Sequence, residues 1–202
     1  MAPFALTPQA SQRTTRRALG RALLAGLAAL WLVLAPLGAA AEAVSLLSLQ
    51  RSAQPHSGIA IDYSVKVVLP KPVVEVLQRG VPVYFNVQGT VLRPRWYWRD
   101  ERIARVTRVW RVAYQPLTSN WRVGQGALTQ TFNTLDEAMA AIATTSNWLL
   151  AEPQRITEDE RYVVQFAWQL DTNQLPPAMQ VAIGGAANDW NVKLEAAFGV
   201  IP

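Results

Sequence analysis

Three stretches of the chain alternate apolar and polar residues with a period of two, the pattern of a β-strand that buries one face. They are residues 59–69, 162–170 and 192–200. In the first, Ile59, Ile61 and Tyr63 fall on one side, while Asp62 and Ser64 fall on the other. One polar face and one apolar face predict antiparallel strands packed on a core from a single side.

The stretch 81–114 contains two longer apolar runs, rich in β-branched and aromatic residues, joined by the polar tetrapeptide 99–102. A short polar connection between two such runs predicts a long β-hairpin. Pro94 interrupts the first arm, so we expect a bend or an edge position there. Shorter strands are expected at 44–50, 121–123, 127–132 and 181–183.

Helical signals occur in two places. Pro72 suits the first turn of a short helix over about 72–79, and Gly80 suits the residue that follows it. Thr134 and Glu137 form a capping-box pattern at the start of a longer helix, expected over about 135–149. Together these elements predict a mainly β (α+β) fold, a single antiparallel β-sandwich-like domain with two helices.

The first forty residues have a different character. Four arginines precede an apolar run over 22–37, and small residues follow it before Glu42. A basic region, a short apolar region and small residues predict a signal peptide over 1–41, cleaved between Ala41 and Glu42, with 42–202 as the exported domain. Cleavage after Ala43 is the second choice. The Sec route is favoured over the twin-arginine route. The alternative is an uncleaved segment that anchors the chain in the inner membrane.

Removal of this segment changes the charge of the protein. The whole chain carries 19 basic and 14 acidic residues, for a net charge of +5. Four of the basic residues and none of the acidic ones lie in 1–41, so 42–202 is almost neutral. The basic composition therefore does not indicate a nucleic-acid partner.

Candidate catalytic groups are few. The chain has one histidine, His56, and no cysteine, so neither a Ser-His pair within a nucleophile elbow nor the usual zinc ligand set can be assembled. Phosphate-binding glycine motifs are missing as well. Carboxylates at 100–101 and 158–160 fall where solvated charges are expected. We expect no enzymatic activity and no cofactor, and we assign no catalytic or metal-binding residue.

Arginine and aromatic residues are concentrated in the hairpin. Seven arginines fall within 93–111, interleaved with tryptophans. This composition suits an interaction surface for an envelope protein or an anionic lipid or glycan, with Arg95, Trp96, Trp98 and Arg99 as its candidate residues. The alternative is an outward strand face whose arginines stack on aromatic rings and keep the edge from aggregating.

Several short segments together resemble one protein family. They are Ile61-Asp62-Tyr63, the segments 76–85 and 95–98, the segments 110–114 and 132–138, Tyr162, and the Leu175-Pro176-Pro177 turn before Trp190. The chain is similar to the DUF4390 proteins, which are exported bacterial proteins without an established function. The resemblance offers no catalytic residues to transfer. It implies a periplasmic setting and a signalling partner such as a sensor kinase.

These observations favour a non-enzymatic periplasmic binding or accessory protein, linked to an envelope sensor or an assembly partner. The alternative is a carrier of a hydrophobic or lipidic ligand between the sheet and the longer helix. A deep apolar pocket favours the carrier, whereas a filled core with an exposed arginine and tryptophan surface favours the binding protein.

Overall fold

A computed structural model describes residues 43–53, 58–97, 99–177, 179–180 and 190–201. The expected signal peptide with its Ala41–Glu42 cleavage site, the expected strand at 181–183, and the residues His56 and Trp98 all lie outside the described residues. Within the described part, the chain forms β1 Val44–Arg51, β2 Ile59–Val67, α1 Lys71–Gln78, β3 Val83–Arg93, β4 Glu101–Gln115, β5 Asn120–Gln125, β6 Leu128–Phe132, α2 Leu135–Ala143, β7 Thr144–Ala151, β8 Tyr162–Leu170 and β9 Lys193–Val200.

The strands form two antiparallel sheets. One has the order β1-β2-β7 and the other the order β6-β5-β4-β3-β8-β9. The predicted mainly β, sandwich-like fold with two helices is confirmed. The three strands expected from alternation are present as β2, β8 and β9.

The apolar faces of the two sheets meet in a filled core. Its largest fully buried side chains include Trp148, Trp168, Tyr63, Phe85 and Phe166. Tyr63 of the smaller sheet lies 4.9 Å from Phe166 of the larger one, measured between ring centroids. Aromatic pairs at this spacing add to the stabilisation that burial of the rings provides. The period of two in β2 and β8 thus places these rings between the sheets.

Helix α2 is shorter than the helix predicted over about 135–149. The capping box is present, with Thr134 Oγ1 accepting from the Glu137 backbone N–H and the Glu137 carboxylate accepting from the Thr134 N–H. However, α2 ends at Ala143, and Thr144–Ala151 forms β7, so the expected helix over 135–149 is wrong in its last turns. The β-branched pair at 144–145 disfavours helix, and pairing of 144–151 with β2 buries Trp148 and Leu150.

The central hairpin is confirmed, but its connection differs from the expected one. Tyr84 to Thr90 pair with β4 in continuous register, and one irregularity follows between Val91 and Leu92. The connecting loop is 94–100, so it begins at Pro94, where the missing N–H ends the ladder. Glu101 and Arg102, predicted as part of the connection, instead begin β4.

Candidate functional site

The arginines of the hairpin do not form a single surface. Side chains of directly paired residues in an antiparallel ladder project to the same face. Arg108 pairs with the buried Val87 and therefore faces the core side, where its guanidinium lies 4.9 Å from the Trp148 ring centroid. Burial lowers the pKa of Arg108, because the charged guanidinium loses hydration. Arg105 and Arg111 lie on the opposite, outer face.

An ion-pair network lies at the base of the hairpin tip, which is the connection 94–100 between β3 and β4. Arg93 Nε donates to Glu101 Oε2 at 2.9 Å, and Arg93 Nη1 donates to Glu160 Oε2 at 3.1 Å. Arg95 Nη2 also donates to Glu101. The hydrogen bonds from Arg93 and then Arg95 lower the pKa of the Glu101 carboxyl, and the same network raises the pKa of Arg93.

This network connects the tip to the neighbouring strand of the sheet. Glu160 precedes β8, and its Oε2 accepts from the Tyr162 hydroxyl at 3.2 Å. The fully buried Tyr162 in turn accepts from the Thr157 N–H at 2.8 Å. The base of the tip is therefore attached to a side chain of the core, which holds the loop in a defined position.

Beyond this base, the loop presents aromatic rings to solvent. Trp96 is 94% exposed and Tyr97 is 66% exposed. Their ring centroids lie 5.0 Å apart with an interplanar angle of 72°, an edge-to-face arrangement. Arg99 is also exposed.

The predicted interaction residues thus have different environments. The structure brings Trp96 and Arg99 to the solvent side of the tip, where the sequence placed them. Arg95 is exposed, but its guanidinium is engaged by Glu101 and is not an unpaired charge. Trp98 lies outside the described residues. Sequence reasoning missed Tyr97 as the partner ring of Trp96, although its place in the Trp96-Tyr97-Trp98 triplet was a visible signal.

Two carboxylates do converge at the tip. Glu101 and Glu160 both accept from Arg93, which links one acidic run of the sequence to the other. General acid or base catalysis is most efficient when the pKa of the carboxyl lies near the working pH, and here the pKa of Glu101 is lowered. The geometry therefore suits a structural ion pair.

A groove lies between β2 and α2. It has a volume of about 460 Å³, and its apolar lining includes Val65, Val67, Leu69, Leu135, Met139 and Ala143. This is the place where the sequence suggested a lipidic ligand, although the helix that lines the groove is shorter than predicted. The groove is open to solvent, and the core between the sheets beside it is filled.

The described residues provide neither a metal-binding cluster nor a helix suited to span a membrane. They contain no group of three or more histidine, cysteine, aspartate or glutamate side chains placed to hold a metal ion. In the same part of the chain, no helix has both the length and the apolar character needed to cross a bilayer.

No curated protein and no solved structure matches the chain. A family model described as a domain of unknown function matches residues 43–197, which span nearly all of the two-sheet domain. The chain therefore belongs to the DUF4390 family.

Proposed function

We propose that this protein is an exported, periplasmic, non-enzymatic binding protein that contacts an envelope protein through the β3–β4 hairpin tip. The observation that carries the proposal is the 94% exposure of Trp96 on a loop whose base is fixed to the core. Transfer of a large aromatic ring from water into an interface lowers the free energy and so favours binding. Tryptophan, tyrosine and arginine are enriched among the residues that dominate binding energies.

The position of the tip supports a binding role over a folding role. The core is filled without any contribution from Trp96 or Tyr97, which contact each other and otherwise face solvent. Holding the base of the loop through Arg93, Glu101 and Glu160 reduces the entropy lost when a partner binds.

The charges of the tip favour a protein partner over an anionic bilayer. Four arginines and three carboxylates lie in and around the loop: Arg93, Arg95, Arg99 and Arg102, with Asp100, Glu101 and Glu160. Attraction to anionic lipid requires an excess of basic side chains near the surface, and this near balance provides little. Compared with this small net charge, the exposed rings of Trp96 and Tyr97 are the more prominent feature of the tip.

Alanine variants test this proposal in the native envelope. Cross-linked complexes are purified from cells that express the wild type, the double variant Trp96→Ala/Tyr97→Ala, or Leu117→Ala. Leu117 is 101% exposed in the loop between β4 and β5, so its variant controls for loss of any exposed apolar side chain. We expect the double variant alone to lose a discrete complex. Binding of the wild type to phosphatidylglycerol vesicles, with loss in the same double variant and no protein complex, would assign the tip to lipid instead.

The proposed location has its own test. Cell fractionation followed by N-terminal sequencing is expected to recover a periplasmic chain that begins at Glu42. A membrane-bound chain that retains residues 1–41 would support the anchored alternative.

A second candidate function rests on the groove between β2 and α2. Its volume and apolar lining suit part of an acyl chain, so a carrier of hydrophobic ligands is the alternative. Titration with a dansylated fatty acid checks it: Ala140→Trp, in the groove lining, should abolish an emission shift that Ala197→Trp, on the outer face of β9, leaves intact. No saturable emission shift in the wild type would remove this candidate.

A further inference from the structure

Strand β6 is an open edge of the larger sheet. It has the sequence Leu-Thr-Gln-Thr-Phe, with no charged residue and no proline, and its pairing with β5 is regular from Leu128 to Phe132. Its first four residues are exposed. Native edge strands are usually protected by charges, prolines, bulges or covering segments, and β6 has none of these among the described residues.

The other described edges show such protection. The β9 edge of the same sheet lies against β1, and Arg51 Nη1 donates to the Ile201 carbonyl at 2.9 Å. In the smaller sheet, β1 has a register shift between Leu46 and Ser48. The β7 edge is interrupted by Asn147, which has a positive φ of 51°. Among the sheet edges in the described part of the chain, β6 is therefore the one that has no such protection.

The hairpin geometry determines which backbone groups of β6 are free. Strands β5 and β6 are joined by the two-residue turn 126–127, in which Gly126 has a φ of 58°. The residues that flank such a turn, Gln125 and Leu128, exchange hydrogen bonds, and hydrogen-bonded pairs then alternate along the ladder. Thr129 and Thr131 consequently direct their N–H and C=O groups away from β5. No other described backbone segment bonds to them.

The two faces beside this edge have different chemistry. On the outer face, Thr131 pairs with Arg122, and Arg111 of β4 lies diagonally beyond it, since Arg111 pairs with Gly124. Within the described residues, neither guanidinium forms an ion pair with a carboxylate. On the inner face, β6 presents the 74% exposed Leu128, the exposed Gln130 and the half-buried Phe132.

We propose that the β6 edge binds an extended segment of another protein in which acidic and apolar residues alternate. Such a segment adds a strand to the sheet through the free groups of Thr129 and Thr131. Its acidic side chains then lie on the outer face within reach of Arg122 on β5, while Arg111 adds positive charge from one strand further in, and its apolar side chains lie beside Leu128 and Phe132. A second copy of this chain fits less well, because pairing β6 with β6 would place two arginine-bearing faces in one sheet.

The proposal is tested on the full-length chain with the peptide Val-Glu-Val-Glu-Val-Glu-Val and its counterpart in which lysine replaces each glutamate. Amide hydrogen exchange is measured residue by residue with and without peptide. We expect the acidic peptide to slow exchange at Thr129 and Thr131, and the lysine peptide to leave both unchanged. Equal protection by both peptides, no protection by the acidic one, or protection through self-association without peptide would each overturn the proposal.

Two kinds of variant distinguish the contribution of backbone hydrogen bonds to peptide binding from the contribution of charge. Thr131→Pro removes an N–H that β5 does not use, so we expect at least about tenfold weaker binding with the β5–β6 pairing retained. Thr131→Val keeps the N–H and should bind like the wild type. Arg122→Glu should weaken binding of the acidic peptide roughly two- to fivefold or more and improve binding of the lysine peptide. Equal binding by Thr131→Pro and Thr131→Val contradicts strand addition, and the Arg122→Glu measurement remains decisive if the proline variant does not fold.

This surface is distinct from the hairpin tip. The tip lies at the Glu101 end of β4, whereas β5 pairs only with residues 111–115 at the other end. The variant Trp96→Ala should therefore leave peptide binding unchanged, so each proposal can fail without the other.

Discussion

Leu150 of β7 lies directly on Gly89 of β3, and the two sheets approach so closely here that a Cβ atom at position 89 would have no room. A Cβ atom added at Gly89 would lie 2.8 Å from Leu150 Cδ1 and closer still to Cδ2. Gly89 stands in the middle of β3, paired with Val106 on one side and Phe166 on the other. A glycine inside a strand is often explained by close approach of another segment, as it is here.

Gly89→Ala is therefore expected to destabilise the domain by about 1–3 kcal/mol, because Leu150 must leave its rotamer or the sheets must separate. Urea unfolding measures the loss. Gly124→Ala is the matched control, since a Cβ there would meet its nearest atom at 3.6 Å, an ordinary contact. If Gly89→Ala and Gly124→Ala unfold at the same urea concentration, the proposed contact does not limit the sheet spacing.

The capping box at α2 makes a separate contribution to stability. Thr134→Ala removes the oxygen that accepts from the Glu137 N–H at 3.2 Å, and we expect a loss of about 1 kcal/mol in the free energy of unfolding. Thr134→Ser retains a hydroxyl at the same position and should lose much less. Equal losses in the two variants would show that the methyl group, rather than the hydrogen bond, stabilises this site.

Stability should decrease in acid partly through Glu101. Arg93 and Arg95 lower the pKa of Glu101 in the folded state, so the stabilisation is complete above the unfolded pKa of about 4.3 and is lost as pH falls through the lower folded value. The urea midpoint of the wild type should fall more steeply across this window than that of Glu101→Gln. Asp171 should leave residual pH dependence in the variant: burial raises its pKa, but hydrogen bonds led by those from Gln174 and Asn86 lower it overall. Parallel pH profiles would contradict the role of Glu101.

Two tryptophans should respond differently to the same substitution. Trp148 is fully buried and contacts Arg108, so Trp148→Ala is expected to cost about 3–5 kcal/mol in the free energy of unfolding. Trp96→Ala removes a solvent-exposed ring and should change it by no more than about 0.5 kcal/mol. Thermal or urea unfolding distinguishes them, and a large loss in Trp96→Ala would mean that the tip supports the fold.

Period-two alternation predicted the fold well because each of β2, β8 and β9 buries one face. The end of α2 was not predictable in the same way. Apolar residues from Leu135 to Leu149 fit a helical stripe, and only pairing with β2, which is distant in sequence, makes 144–151 a strand. Local pattern and tertiary pairing compete in such a segment, and pairing prevails here.

The candidate site was predicted in composition but not in geometry. Sequence indicated that arginines and aromatic rings cluster in the hairpin, and Trp96 and Arg99 are exposed as expected. It did not indicate that Arg95 would be paired with Glu101, or that Glu160, far along the chain, would reach Arg93. Register determines the face of Arg108, and register depends on partners that a single strand pattern does not specify.

The hairpin-tip proposal is tested most directly by site-specific photocross-linking in the native envelope. A photoreactive phenylalanine analogue is placed in turn at positions 96, 97 and 117, which are all exposed. We predict one discrete protein adduct from positions 96 and 97 and none from position 117. Equal adducts from all three positions, or no protein adduct from 96 and 97, would contradict a binding surface at the tip.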